Sequence, residues 1–476
     1  MRSQIVARRH RAARIGLLVL FACLGWPFAA ASSRAASPAV CKVLSSARDV
    51  SAARIPSLPT VQEGFSCLLA HYVTAGNLDE RQLLRGAYDE IAATLQANGV
   101  SAPSSLHEPA FVGERDQDWR LFTQAYNVWS ALLPTHLLIP GALAELALYG
   151  MTGSLHDDHT SYVPGDELKP LVGQLFDSGP IPTLGLVVSL GSASQPVFVT
   201  DTFEGAPAAL AGMKPGDVIT LVNGYAPFAN VQGLAGFAPL LVPKIGAPVT
   251  LVVSRPATGA ILTFHLSPRL LKTPDSVSRL IAGHVYYVKL FSFTKDAARQ
   301  ILAQIAALPT LPGVRGIVLD LRGNAGGVIE GAVRLLSAFV HHKTLFISVD
   351  GKGKRSPEAA DNSVSLLGRP LVVLTDSASA SSSEIVASAV HDYHLGTIIG
   401  SRTAGALAGA DFYGLNDGGA LEITEARVLG PKGETVDGVG VAPNQEITTS
   451  PLDLSTGHDP VIDSAVRDLT RPTGTL

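Results

Sequence analysis

The amino-acid sequence predicts an α/β protein in three parts: a helical N-terminal region, a β domain of short strands, and an α/β core on a largely parallel sheet. Three patterns carry that expectation. From about residue 61 to 148, apolar positions recur with helical spacing, as at Leu83, Leu84, Ala87, Ile91 and Leu95. From about 182 to 266, the chain turns to short β-prone runs separated by glycine, proline and an Asn-Gly turn. Beyond 285, apolar runs of strand length alternate with helical stretches, which is the pattern of βα units.

With 476 residues the chain has room for roughly two to four domains, each with its own core. Hydrophobic residues make up 46% and charged residues 16%, with a net charge of −4, so a disordered chain and a basic nucleic-acid surface are both excluded. At the N-terminus Arg8, Arg9, Arg11 and Arg14 precede an apolar run, and small residues follow from Ala29 to Ala36. That order reads as a cleaved secretory leader, 1–36, of a protein in the bacterial periplasm or secreted. An uncleaved anchor fits less well, because the apolar run is short for a span and contains Pro27. Peripheral association with a membrane is compatible with either. Cleavage leaves Cys41 and Cys67, which could form one disulfide or stand as two buried thiols. Neither cysteine has metal-ligand spacing, and no cofactor or metal is expected.

Residues 37–60, rich in Ala, Ser and Pro, read as a linker, and 61–170 as the helical domain. The latter closes on a dense polar cluster within Met151–Val163, which contains His156, Asp157, Asp158 and His159. In the β domain, 171–270, the strands expected are Gly185–Leu190, Pro196–Thr200, Asp217–Val222 and Val249–Val253, with a short capped helix between Ala206 and Gly216. The core, 278–450, opens with strand Val285–Leu290 and a helix from Lys295 to Leu308. Strand Gly316–Leu321 leads to a helix over Val328–Val340. Thr344–Val349 and Leu371–Leu374 are further strands, the second feeding a helix from Ser382 that Gly396 can stop. A tail, 451–476, is helical and then frayed.

Ligands of parallel sheets sit at the carboxyl ends of the strands. Two such ends carry unusual residues: the glycine-rich stretch Asp320-Leu-Arg-Gly-Asn-Ala-Gly-Gly327, and a run of small hydroxyl residues from Ser377 to Ser383. A serine where a strand becomes a helix stands at the positive end of the helix dipole, which favours an alkoxide or a tetrahedral oxyanion. A serine-rich helix cap without chemistry is the alternative.

The stretch Gly205–Gly224 resembles a PDZ domain, with Thr183, Leu184, Gly185 and Leu186 where that family captures a peptide carboxylate. Five motifs then agree in order: Asp158–Tyr162, the PDZ pattern, Leu319–Gly327, Ser377–Ile385 and Gly438–Pro443. Together they resemble the C-terminal-processing (tail-specific) serine peptidases over roughly residues 65–447. The resemblance implies hydrolysis of peptide bonds in polypeptides presented by their C-terminal tails. It implies Ser381 as nucleophile, oxyanion donors on Ser382 and on Gly326 or Gly327, and supporting roles for Glu384, Asp392 and Thr403. One position departs from it. The family's general base is a lysine in a Thr-x-Gly-Lys pattern, and here that pattern is Thr403-Ala-Gly-Ala406. A tricorn-like branch uses a histidine instead, and the matching positions are His159 and Asp437. An imidazole is a competent base near neutral pH, so a Ser381–His159–Asp437 triad is expected. His391 and His394 lie more than two turns along the helix from Ser381 and point elsewhere. An inactive homologue that binds peptides through its PDZ domain, or regulates a protease, is the competing expectation.

Overall fold

The computed structural model describes residues 41–471, except 105, 134–140, 158, 178, 190–195, 228–239, 241–242 and 307–312. The leader 1–36, the first residues of the expected linker, and Asp158 of the polar cluster lie outside the described residues.

The N-terminal part comprises β1 (Lys42–Val43), α1 (Leu58–His71), α2 (Glu80–Ala97), α3 (Arg115–Leu132), α4 (Ala142–Gly153), β2 (Ser161–Val163) and α5 (Gly165–Asp177). The predicted apolar face of α2 is the buried one: Leu83, Leu84, Ala87, Ile91 and Leu95 all pack into a core shared with α1, α3 and α4. The expected linker is not free over 41–57. Strand β1 joins a sheet, Leu44 and Val50 are buried, and a disulfide joins Cys41 to Cys67 of α1. Composition alone could not disclose this, because a two-residue strand has no periodicity.

The β domain contains β3 (Ile181–Thr183), β4 (Leu186–Val188), β5 (Val197–Thr202), α6 (Pro207–Leu210), β6 (Val218–Val222), β7 (Val249–Arg255), β8 (Ala260–Leu266) and β9 (Arg269–Leu271). Strands β4-β5-β6-β7-β8 form an antiparallel sheet in chain order, and β3 pairs with β9. Alternate residues Val197, Val199, Leu251 and Val253 point into its core. Asn223 and Gly224, at φ +52° and +87°, make the turn that ends β6.

The core holds β10 (Ser276–Ile281), β11 (Val285–Leu290), α7 (Ala297–Ala306), β12 (Gly316–Asp320), α8 (Ile329–Ser337), β13 (Thr344–Asp350), β14 (Arg355–Ala359) and β15 (Leu371–Thr375). It continues through α9 (Ser382–Tyr393), β16 (Thr397–Gly400), β17 (Ala408–Gly414), β18 (Ala420–Leu429), β19 (Gln445–Glu446), α10 (Pro451–Ser455) and α11 (Pro460–Thr470). One sheet runs β10-β11-β12-β15-β16-β19 and is parallel apart from β10. Its inner strands β11, β12, β15 and β16 are buried and mostly apolar because both faces are covered. Ile317, Leu319 and Val373 pack with α7, α8 and α9, while Val318, Val372 and Leu374 pack with α11.

Two expectations need correction. Strand β13 does not join the parallel sheet; it lies in an antiparallel one, β1-β17-β18-β13-β14, with β2 added beside β18. A buried apolar run marks a strand without saying which sheet receives it. Helix α9 stops at His394, not Gly396. His394 takes the left-handed conformation at φ +52°, and the Leu395 N–H bonds back to the Val390 carbonyl.

Candidate active site

Strands β12 and β15 are parallel neighbours, with Asp320 opposite Leu374, so the loops leaving their carboxyl ends lie side by side. Asp376 joins the two loops: its Oδ1 accepts from the Gly323 N–H at 3.0 Å and from the Ala378 N–H at 3.0 Å. Ser379 Oγ adds a bond to the Leu321 carbonyl at 2.8 Å.

Ser381 follows as the N-cap of α9, at φ +51° and ψ −117°. A residue with a Cβ rarely occupies this region, and holding one there costs roughly 1–3 kcal/mol. The surroundings impose it. The Ser381 N–H donates to the Ala406 carbonyl at 2.9 Å and to Glu384 Oε2 at 3.2 Å. Gly326 lies against the same turn, where a Cβ would come 2.7 Å from Ser381 Cβ and 3.0 Å from the Ser382 nitrogen. Among the described residues, neither the Ser382 N–H nor the Gly327 N–H has a hydrogen-bond acceptor, whereas the Gly326 N–H donates to Asn324 Oδ1 at 2.8 Å.

Glu384, one turn into α9, is fully buried. Its carboxylate accepts from Thr403 Oγ1 at 2.6 Å, the Gly405 N–H at 2.7 Å, the Ala406 N–H at 2.8 Å and the Ser381 N–H. Burial raises its pKa above the usual carboxyl range, and these four donors act against that shift. Glu384 and Thr403 therefore hold Ala406 beside Ser381.

His159 comes from the other side. Strand β2 pairs with β18, with Ser161 opposite Glu422, and this docks the polar cluster onto the core. Asp157 Oδ1 accepts from the His159 N–H at 2.9 Å, and its Oδ2 accepts from Thr160 Oγ1 at 2.8 Å. The imidazole is 3% exposed, with Nε2 3.8 Å from Asp437 Oδ1. Asp437 Oδ1 also accepts from the Leu407 N–H at 3.2 Å, and the Gly438 N–H donates to the Gly405 carbonyl at 2.7 Å. A path thus runs from His159 through Asp437, Leu407 and Ala406 to the Ser381 amide. Nearby Glu422 is buried, which holds its carboxyl well above the ordinary range.

Other expected residues lie elsewhere. Asp392 belongs at the far end of α9, eleven residues from Ser381 and so about 16 Å along the axis; the helix does not bring it to the serine. His391 contacts Asp392 at 3.3 Å, and Lys432 Nζ donates to the Asp392 carbonyl at 2.7 Å at that same remote end. Thr183, Leu184, Gly185 and Leu186 form the turn from β3 into β4, with Gly185 at φ +74° and its N–H donating to Thr183 Oγ1 at 2.9 Å. One buried amine had no signal in the sequence. Lys289 Nζ donates to the Arg322 carbonyl at 3.1 Å and lies 3.7 Å from Asp320 and 3.8 Å from Asp201 of the β domain. Flanked by two carboxylates, it ties the end of β12 to the β domain. Among the described residues no group of three or more His, Cys, Asp or Glu is arranged to hold a metal.

Comparison with known proteins decides the family. The model of peptidase family S41 matches residues 284–447, and a PDZ domain model matches 179–253. A carboxy-terminal-processing protease of Bartonella bacilliformis is 30% identical over 308 residues, 63% of this chain and 69% of that protein. The chain belongs to the carboxy-terminal-processing proteases of peptidase family S41. The chloroplastic carboxyl-terminal-processing peptidase 3 of Arabidopsis thaliana is 29% identical over 324 residues, 65% of this chain and 62% of that one. The solved photosystem II D1 C-terminal processing protease shares the fold, with a TM-score of 0.52 at 23% identity over 83% of this chain and 93% of its own. As an S41 member the protein is a serine peptidase carrying a PDZ domain.

Proposed function

We propose that this S41 peptidase is exported and cleaves polypeptides presented by their C-terminal tails, with Ser381 as nucleophile and His159, oriented by Asp437, as the base in place of the lysine. The observation that carries this is the strained Ser381 backbone at the start of α9, next to the Ser382 and Gly327 N–H groups, which have no acceptor among the described residues. His159 takes the hydroxyl proton as Ser381 Oγ bonds to the scissile carbonyl carbon. The π pair moves onto the carbonyl oxygen, which those N–H groups receive. The C–N bond then breaks, the amine leaves with the proton from His159, and water releases the acyl group by the same steps. Ser381 is fully buried and His159 nearly so, so a substrate enters only when the segments covering them part.

The PDZ unit supports tail recognition. Strand β4 is an edge strand, open to one more strand from a peptide. Thr183 Oγ1 has to yield the Gly185 N–H before a carboxylate can take it. The Cys41–Cys67 disulfide suits an oxidising compartment and so favours export behind the leader 1–36. Ala406 favours a second reading, a peptide-binding homologue without hydrolysis.

Hydrolysis of a peptide with an apolar free C-terminus, and of its amidated form, separates the two. Wild-type protein is expected to cleave the free acid faster, with Ser381→Ala and His159→Ala each losing at least about a thousandfold. Binding without cleavage would leave the second reading, and full activity in Ser381→Ala would remove the nucleophile assigned here.

A further inference from the structure

Asn324 is fully buried where the end of β11, the glycine-rich loop and the Ser381 turn meet. All its polar groups are engaged. Its side-chain Nδ2 donates to the Leu290 carbonyl at 2.9 Å, and Oδ1 accepts from the Gly326 N–H at 2.8 Å. Its main-chain carbonyl accepts from the Ala380 N–H at 3.1 Å and from Ser383 Oγ at 2.9 Å, and its N–H donates to the Leu321 carbonyl at 3.0 Å. A neutral amide carries a donor and an acceptor on one plane, so it can bridge a carbonyl and an N–H without burying a charge.

The consequence falls on the next peptide. With its N–H held by Oδ1, Gly326 has none to offer a ligand. The Gly326 carbonyl accepts from the Phe293 N–H at 2.9 Å. The Gly326–Gly327 peptide is trans, as are all others among the described residues, so the Gly327 N–H points the opposite way from the Gly326 carbonyl, away from Phe293. Ser382 Oγ holds the following carbonyl, that of Gly327, at 2.8 Å. A Cβ on Gly327 would come 2.3 Å from the Phe293 oxygen, so only glycine fits this close approach of the loop to Phe293.

We propose that Asn324 is a positioning residue for the peptidase reaction: it ties down the Gly326 N–H and thereby makes Gly327 the loop donor that joins Ser382 in binding the oxyanion. This rests on the Ser381 reading above. Asn324 touches none of the reacting atoms, so its loss should weaken transition-state binding and leave substrate binding alone.

The test begins with wild-type protein labelled with 15N-glycine and titrated with a peptide boronic acid, which forms a tetrahedral adduct on the nucleophile. The Gly327 amide is expected to shift and to gain protection from exchange, with Gly326 unchanged. A shift of Gly326 in place of Gly327 overturns the proposal, whatever the fate of any variant. Asn324→Ala is then expected to lose about ten- to a hundredfold in kcat with KM within about twofold, and to lose boronate affinity in parallel. Asn324→Asp, which keeps an acceptor for Gly326, is expected to lose less. Unchanged kcat, or a loss confined to KM, in variants whose melting curves match wild type overturns the proposal. Ser381→Ala keeps the two ideas apart. If it hydrolyses at the wild-type rate, the Ser381 reading fails; if it is inert while the Asn324 variants keep kcat, only the Asn324 inference fails.

Discussion

Replacing Glu384 with glutamine tests what holds Ser381 beside Ala406. The carboxylate accepts four hydrogen bonds, two on Oε1 from Thr403 and Gly405 and two on Oε2 from Ala406 and Ser381. A glutamine oxygen can keep one of these pairs. Its NH2 then faces the two buried donors of the other pair: either the Thr403 hydroxyl and the Gly405 N–H, or the Ala406 N–H and the Ser381 N–H, which keeps only the Ala406 carbonyl. Hydrogen bonds to a charged group contribute about 1.5–3 kcal/mol each, so losing two costs on the order of 3–6 kcal/mol before relaxation. Relaxation of the loop carrying Gly405 and Ala406 should recover some of this and move Ala406 away from Ser381. Thr403→Val removes two bonds of Oγ1, to Glu384 at 2.6 Å and from the Val441 N–H at 2.7 Å, and should cost about 2–4.5 kcal/mol. Urea denaturation measures the stability loss, and the rate of fluorophosphonate labelling reports the geometry of Ser381. If Glu384→Gln loses less than about 1 kcal/mol and labels at the wild-type rate, the carboxylate is not the clamp described here.

Three further outcomes are expected. Gly326→Ala should abolish hydrolysis while leaving the PDZ unit folded, because its Cβ would meet Ser381 Cβ at 2.7 Å from a backbone at φ +106°; hydrolysis at the wild-type rate would show that the turn can give. Replacing Cys41 and Cys67 together with serine opens a loop of 26 residues and should lower stability by about 3.5 kcal/mol on the chain-entropy estimate, seen as a fall in Tm. Asp411 is pushed up to about 8 by burial and by the neighbouring Glu425 carboxylate, which also binds His71 and Tyr413. The folded protein therefore keeps a proton that the unfolded chain releases near pH 4, and this contribution to stability declines as pH rises from about 4 to 8. Asp411→Asn should flatten that decline, measured as denaturation midpoints at pH 5 and pH 8; an unchanged slope would show that the pair carries no such proton.

The parallel sheet was legible because strands covered on both faces are mostly apolar, as in Val285–Leu290, where Lys289 is the one charged residue, and Leu371–Thr375. What such runs lack is any mark of their neighbour, so the expected strand Thr344–Val349 reads the same whichever sheet receives it, and it lies in the antiparallel one. The edge strand Ser276–Ile281 gives no signal because each of its alternating sets, Ser276, Ser278 and Leu280 or Val277, Arg279 and Ile281, mixes polar with apolar residues. At the site, Ser381, Glu384 and Thr403 were legible from local spacing and family pattern. Asp392 was misplaced because a motif match ignores the distance that eleven helical residues span. The engagement of the Gly326 N–H by Asn324 and the tether of Lys289 to Asp201 were not legible. Both depend on which backbone carbonyl or carboxylate a side chain meets after folding.

The most direct measurement of the central claim is the rate of fluorophosphonate attachment, located by mass spectrometry of the labelled peptide. The label is expected on Ser381, at a rate that falls at least a hundredfold in His159→Ala. Attachment at the same rate with His159 removed, or at a residue other than Ser381, would contradict the account.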